Sequence, residues 1–329
     1  MGSRRRFRYV DARGNPIKDE DKLERIRALV IPPAWTDVWI SPKPGAKLQA
    51  TGVDAAGRRQ YLYHANFRAQ QEQAKFDRLI RFAERLPELR GATAVHLDNE
   101  TLDRLRVSAI ATRLINCGWF RVGSERYAKE SRTYGITTLR KKHVRVRGKR
   151  IEFDFVAKHR TVVRRTFIDD ELADQVKALL ALPGGRRLFR YVWDDGICNL
   201  TGARLNDYVR DYLGDEFTAK DFRTWGGTLI AAIAFAEHGP PESEREAKKV
   251  IPAVMRRVGN ELGNTPAVAR SSYVSPAVID QYLDGRTIDD FRPRHLRVVR
   301  ARDTGLDPEE QALLSLLRSW KIRQSRAAA

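Results

Sequence analysis

The sequence predicts an α+β protein: a small β-rich N-terminal domain, residues 1–75, and a larger, mainly α-helical domain, residues 76–329, carrying one small antiparallel β-sheet. Three observations predict it. The N-terminal stretch holds short β-prone runs separated by Gly-, Pro- and Asp-containing turns. From about Ala65 the chain becomes polar and helix-prone, and apolar residues then recur at helical spacing. Between residues 143 and 155 two runs alternate apolar and polar residues, as a half-buried sheet requires, and a third run follows at 162–167.

The strand candidates of the first domain are Arg8-Tyr9-Val10-Asp11, Val38-Trp39-Ile40, Lys47-Leu48-Gln49-Ala50 and Gln60-Tyr61-Leu62-Tyr63. Asp19 to Leu29 reads as one short helix that ends before Pro32-Pro33. The run Arg68-Ala69-Gln70-Gln71-Glu72-Gln73-Ala74-Lys75 marks the passage to the second domain. Leu102, Leu105, Ala109, Ile110 and Leu114 then share one helix face, which Gly118 is expected to close. Leu205 to Leu213, Thr228 to Glu237, Ser243 to Leu262 and Pro308 to Arg323 are further helices, the third expected to kink or split at Pro252. Leu313, Leu314, Leu316, Leu317 and Trp320 form a stripe that reads as core packing. In the β insertion, His143 to Val146 and Ile151 to Phe155 pair through the turn Arg147-Gly148-Lys149-Arg150, and Val162 to Phe167 follows. Lys158 therefore falls at a hairpin tip, and the polar positions of the sheet are largely basic: Arg145, Arg147, Lys149, Arg150, Arg160, Arg164 and Arg165.

Charge narrows the function. The chain carries 61 Lys and Arg against 42 Asp and Glu, a net charge of +19. The first 75 residues hold 15 basic and 8 acidic residues, a net +7, which leaves +12 for the remainder. A surplus spread over both domains favours a polyanion, with DNA or RNA the default. No run of about eighteen apolar residues is present to span a bilayer. The N-terminal Ser3-Arg4-Arg5-Arg6, followed by mixed polar sequence, does not read as a secretory leader. Cys117 and Cys198 form no CxxC pair, and the six histidines are scattered. Without HExxH, Walker A or GxGxxG, any chemistry falls to side chains, with no cofactor.

Two isolated arginines, a lysine, an amide and a tyrosine are a set able to cut a phosphodiester without a metal ion. They are Arg121 in Trp119-Phe120-Arg121-Val122-Gly123, Lys158, Arg223 in Lys220-Asp221-Phe222-Arg223-Thr224-Trp225, Asn264, and Tyr273 in Ser271-Ser272-Tyr273-Val274-Ser275-Pro276. Taken singly, each has a plain reading: a surface ion pair for either arginine, a solvated turn for Lys158, a helix C-cap for Asn264, a core position for Tyr273.

Their order along the chain resembles the type IB DNA topoisomerases of the compact bacterial and poxvirus-like kind. The similarity runs through Arg25 to Leu29, Ile31-Pro32-Pro33-Ala34-Trp35, Gln49-Ala50-Thr51-Gly52 and Gln60 to His64. It continues through Arg121-Val122-Gly123, Leu139 to His143, Phe155-Val156-Ala157-Lys158, Lys220 to Thr224, Asn264 and Ser272-Tyr273-Val274. The resemblance implies a tyrosine-recombinase/topoisomerase IB-like catalytic domain. It makes Tyr273 the nucleophile that forms a 3′-phosphotyrosyl bond, Arg121 and Arg223 the phosphate clamps, and Lys158 the acid that protonates the departing 5′ oxygen. Asn264 stands where many members carry histidine, nine residues before the tyrosine. Asparagine donates a hydrogen bond but transfers no proton. Gln60, Tyr61 and Tyr63 match residues that approach bases in the major groove, although the alternation of the two tyrosines also fits core packing. Arg145, Lys149 and Arg160 are the further DNA contacts expected from the basic sheet. The partner implied is double-stranded DNA, held by a monomer that closes as a clamp, in a bacterial cytoplasm at the nucleoid. A tyrosine recombinase is the alternative, but it would carry His-x-x-Arg at the second arginine, where this chain has Lys220. A non-catalytic DNA-binding protein would share the charge and have no use for the five-residue set.

Overall fold

The computed structural model describes residues 7–194, 196–292 and 305–328; the basic run Arg4-Arg5-Arg6 lies outside them. The chain divides into two compact units between Lys75 and Phe76.

In the first unit, helix α1 (Glu20–Ala28) starts at Asp19, whose carboxylate accepts the Lys22 amide, as an N-cap should. An antiparallel sheet follows in the order β1 (Thr36–Ile40), β2 (Leu48–Val53), β3 (Arg59–Tyr63). Strand β2 is central, with Gln49, Ala50 and Thr51 buried. The Gln49 side chain donates to the Pro44 and Ala46 carbonyls and so fastens the β1–β2 loop. Gly52 is needed for packing, since a Cβ there would come within 2.6 Å of the Trp35 ring. The strand expected at Arg8–Asp11 does not form. Only an isolated bridge, Val10 to Pro16, occurs there, because Asp11 folds the chain back by accepting the Arg13 and Asn15 amides. Helix α2 (Ala65–Leu97) contains the division between the units.

The second unit is helical, with α3 (Arg104–Gly118), α4 (Glu125–Glu130), α5 (Asp170–Ala181), α6 (Gly202–Leu213), α7 (Asp221–His238), α8 (Glu244–Leu262), α9 (Pro266–Ser272), α10 (Pro276–Leu283) and α11 (Pro308–Ala328). An antiparallel sheet of β4 (Val144–Arg147), β5 (Arg150–Val156) and β6 (Val162–Ile168) interrupts them, as does the hairpin β7 (Arg190–Trp193)–β8 (Gly196–Asn199). Helix α7 is buried along most of its length, because it is apolar on nearly every face. It starts at Asp221, seven residues before the start expected from sequence, where the carboxylate turns back to accept the Thr218 amide. The adjacent Gly226-Gly227 pair hides that first turn from a propensity reading. Helix α8 runs unbroken through Pro252, which lies on its exposed side while Ile251, Val254 and Met255 are buried. The α11 stripe is core packing: Leu313, Leu316 and Leu317 are buried and the Trp320 indole donates to Asp280.

Phe82 of α2 meets Phe217, Phe222 and Trp225 with ring centroids 5.7, 5.1 and 6.3 Å away, so it supports the first turn of α7 from behind. Phe82→Ala should lower stability by about 3–5 kcal/mol in urea titration, since the ring is fully buried. A loss below about 1 kcal/mol would show that the cluster does not carry the helix.

Candidate active site

The site forms around the C-terminus of α8. Gly263 sits in the left-handed region at φ 62°, where its amide donates to Asn260, and the Asn264 amide donates to the Gly259 carbonyl at 2.8 Å. This double closure ends the helix. Gly259 has to be glycine, because a Cβ would lie 2.8 Å from the Asn264 carbonyl oxygen. The last carbonyls of a helix have no intrahelical donor and carry the negative end of its dipole. Three successive ones each take a guanidinium. Arg165 Nη2 donates to Glu261, Arg223 Nη2 to Leu262 at 2.7 Å, and Arg121 Nη2 to Gly263 at 2.9 Å. The same Arg121 nitrogen donates to Asn264 Oδ1 at 2.8 Å. Asn264 is thus both the end of the helix and a partner of Arg121, a role that needs an acceptor.

Arg223 is 5% exposed. Its Nη1 donates to the Trp119 carbonyl, and its Nε is buried without a hydrogen-bond partner among the described residues. Burial, together with Arg121 nearby, pulls its pKa down to about 10. A surface ion pair, the plain reading of this arginine, does not describe it. Trp119 rather than Gly118 closes α3, at φ 50°, and this turn aims its carbonyl at Arg223. Gly118 lies inside α3 and is needed for packing, since a Cβ there would meet Phe167 at 2.7 Å and Phe120 at 2.8 Å. Arg121 is fixed through its backbone: Ile136 donates to the Arg121 carbonyl at 2.7 Å and Thr137 to that of Val122 at 2.9 Å. Gly135 permits this approach, since its Cβ would fall 2.4 Å from the Arg121 oxygen. Burial lowers the pKa of Arg121, and the neighbouring Tyr273 works against that.

Tyr273 follows the last residue of α9 and donates its amide to Ala269 at 3.0 Å. Thr228 of α7 holds its backbone, with the hydroxyl 3.1 Å from the Tyr273 carbonyl and accepting the Ser275 amide at 3.1 Å. Gly227 leaves room for it, as a Cβ would lie 2.9 Å from the tyrosine Cβ. The Arg223 guanidinium stacks 5.1 Å from the ring centroid. Burial pushes the Tyr273 phenol upward, but the charge and hydrogen bonding of Arg223, then Arg121 and Lys220, outweigh it, and the net pKa is lowered. Tyr273 also packs against the core, so its ring is held between apolar neighbours and a guanidinium.

Lys158 lies in the loop between β5 and β6, exposed, in a turn closed by the Ala157 amide donating to Thr161 at 2.7 Å. His159 and Arg160 take φ 63° and 59° there. Ala157 and Thr161 line a cleft of about 330 Å³ together with Arg121, Arg165, Arg223 and Gly263. The structure therefore gathers Arg121, Arg223, Asn264 and Tyr273 directly, and sets the Lys158 loop on the wall of the same cleft. His143 is a structural residue: burial, then Lys142 and Arg140, lower its pKa to about 4, and its Nδ1 accepts the Arg140 amide. On the sheet, Arg145 and Lys149 are exposed, while Arg150 pairs with Glu152 and Arg164 with Asp154. In the first unit Tyr61 and Tyr63 are 51% and 43% exposed and stack at 6.3 Å, so they are not core residues. Gln60, on the other face of β3, donates to Asp54 at 2.8 Å.

Residues 64–287 match the family model of the eukaryotic DNA topoisomerase I catalytic core, and residues 6–54 that of the bacterial DNA topoisomerase IB N-terminal domain. The chain belongs to the type IB DNA topoisomerases. It is 34% identical over 285 residues to DNA topoisomerase 1B of Acanthamoeba polyphaga mimivirus, covering 84% of each chain. It is 23% identical to DNA topoisomerase 1B of vaccinia virus (strain Copenhagen), covering 84% of this chain and 87% of the relative. DNA topoisomerase 1 of rabbit fibroma virus (strain Kasza) is 25% identical over 285 residues. Among the described residues no helix is long and apolar enough to cross a membrane.

Sequence reasoning passed over Trp119, Gly227 and Thr228, which position Arg223 and Tyr273 through backbone contacts that no spacing announces. It also passed over Arg165 as more than one basic residue of the sheet. A signal for that residue existed: Val163, Arg165 and Phe167 share the inward side of β6, an apolar alternation with one arginine in it.

The Tyr273 phenol should titrate below the ordinary tyrosine value near 10 in ¹³C-tyrosine NMR, with Tyr273→Phe assigning the resonance. In Arg223→Gln it should move upward, since burial then acts with less opposition. An unchanged titration in that variant would contradict the electrostatic assignment.

Proposed function

We propose that this chain relaxes supercoiled duplex DNA through transient cleavage of one strand, with Tyr273 as nucleophile, Arg121 and Arg223 as phosphate clamps, Lys158 as acid and Asn264 as the residue that orients Arg121. The observation that carries this reading is the tyrosine stacked under a buried guanidinium that keeps an unpartnered donor. A phosphate oxygen supplies the acceptor that this donor lacks.

Tyr273 loses its proton to solvent under the field of Arg223 and Arg121. Its oxygen then attacks the phosphorus of one diester. Negative charge grows on the non-bridging oxygens, where preformed cationic donors contribute most. The bond to the 5′ oxygen breaks, and Lys158 gives that oxygen a proton, leaving a 3′-phosphotyrosyl ester and a free 5′-hydroxyl. One diester replaces another, so bond energy is conserved and neither ATP nor a metal enters the balance. The free end swivels, and the 5′-hydroxyl reverses the step.

Both units engage the same duplex in this reading, with the protein acting as a monomeric clamp. The exposed pair Tyr61 and Tyr63, with Gln60, approaches base edges, while Arg145, Lys149 and Arg160 hold backbone phosphates in a salt-dependent way. The match to a bacterial N-terminal domain model supports a bacterial enzyme working in the cytoplasm at the nucleoid, although the similar curated proteins are viral.

Supercoiled plasmid incubated with the protein in EDTA without ATP should relax, and Tyr273→Phe should abolish relaxation. Arg223→Ala should slow it by roughly 10²–10³-fold, the usual loss for one transition-state donor. Relaxation by Tyr273→Phe at the wild-type rate would overturn the assignment. Relaxation confined to plasmids carrying one particular site would favour a recombinase.

A further inference from the structure

The mechanism above gives no task to two cations of the cleft: Arg164, which is exposed and pairs with Asp154, and Arg165, which faces inward. The position of Arg165 is unusual for an arginine. Strand β6 alternates outward and inward residues, and Arg165 occupies an inward place between Val163 and Phe167, both packed on the core. It sits across from Phe153 in the β5–β6 register. Placing a charge on the apolar side of a strand costs stability unless its hydrogen bonds are met. Both recorded partners of Arg165 lie on one residue. Nη2 donates to the Glu261 carbonyl and also stands 3.0 Å from the Glu261 carboxylate.

Glu261 immediately precedes Leu262, whose carbonyl holds Arg223, and Gly263, whose carbonyl holds Arg121. Strand β6 is also the strand that leaves the Lys158 loop. Thr161 of that loop lies against Gly263, its methyl 3.5 Å from where a Cβ on the glycine would stand. Arg165 therefore joins the strand that presents the acid to the helix end that presents both clamps. No other recorded hydrogen bond or ion pair links β6 to α8 among the described residues.

We propose that Arg165 is a positioning residue for strand cleavage: by fastening β6 to Glu261, it sets the Lys158 loop and the α8 carbonyls in register around the scissile phosphate. The inference rests on the topoisomerase mechanism proposed above. It differs from a phosphate contact, since its effect passes through Glu261. It also differs from a plain surface ion pair, which contributes little. The charge of Arg165 is felt at Arg223, in keeping with a shared cleft.

The test measures accumulation of the covalent protein–DNA adduct on supercoiled plasmid with enzyme in excess. Duplex affinity is measured alongside, by anisotropy over a range of salt. Arg165→Ala should slow adduct formation roughly 10- to 100-fold, the scale of a misplacement near 1 Å, with affinity and salt slope unchanged. Arg165→Lys, which keeps the charge and one donor direction, should recover part of the rate and guards against a folding defect. Glu261→Ala, which removes the carboxylate but leaves the carbonyl, should slow the reaction less than Arg165→Ala. The double variant should be no slower than Arg165→Ala alone, as expected for residues acting through one contact. Three results would overturn the proposal: a wild-type rate in Arg165→Ala, additive losses in the double variant, or weakened binding with the salt slope reduced by about 1, the mark of a direct phosphate contact. If the wild-type protein formed no adduct, the proposed function itself would fail, a result distinct from any of these.

Discussion

Everything in the catalytic unit turns on how α8 ends. Three consecutive carbonyls, of Glu261, Leu262 and Gly263, point out of a helix terminus that Gly263 closes in the left-handed region, and each receives an arginine. Clustered guanidiniums repel one another, and a fold has two ways to hold them. Elsewhere in this chain the answer is a carboxylate: Arg90 lies on Glu310, and Arg113 between Asp169 and Glu171. Those ion pairs are neutralised and have little attraction left for a ligand. At the candidate site Arg121 and Arg223 are held by neutral acceptors and the helix dipole, so their positive charge is not neutralised within the protein. Arg190 shows that carbonyl capping alone is not enough, because its Nε, Nη1 and Nη2 all have partners, whereas the Nε of Arg223 has none.

The same arrangement resolves a conflict at Tyr273, the proposed nucleophile. A buried phenol resists ionisation, yet a nucleophilic tyrosine has to ionise. Burial is the largest single influence on Tyr273, and it is overcome only because Arg223 is at hand with Arg121 and Lys220 behind it. Gly227 and Thr228 keep the tyrosine backbone against α7, the helix that also carries Arg223, so the proposed clamp and the proposed nucleophile share one scaffold. Asparagine at position 264 fits this scheme, since its oxygen accepts from Arg121 and a protonated imidazole could not.

Much of this was legible in the sequence, for identifiable reasons. Strands β4 and β5 show a two-residue alternation, and the loop carrying Lys158 follows from them and the run after it. The α11 stripe shows helical spacing. Arg121, Arg223, Asn264 and Tyr273, which the structure brings together, sit in recognisable runs of sequence. What escaped is governed by backbone approach. The Gly226-Gly227 pair reads as a helix breaker, yet it lies inside α7, where packing demands the glycine: a Cβ at 226 would strike the Trp119 indole at 2.1 Å. Arg8 to Asp11 looks like a strand, but one Asp side chain satisfies the amides that a ladder would have used. The closure of α3 moved from Gly118 to Trp119 because packing against Phe120 and Phe167, not dihedral freedom, demands the glycine. The end of α8 was legible from Gly263 and Asn264, but not the carbonyl cradle, since which donors meet those carbonyls leaves no trace in the sequence around them.

The most direct test of the account is the chemical identity of the covalent intermediate. Protein incubated with duplex DNA, stopped with denaturant and digested with protease, should yield a single nucleotide-linked peptide, and tandem mass spectrometry should place a 3′-phosphodiester on Tyr273. A nucleotide linked to any of the other nine tyrosines, or through a 5′-phosphate, would contradict the account.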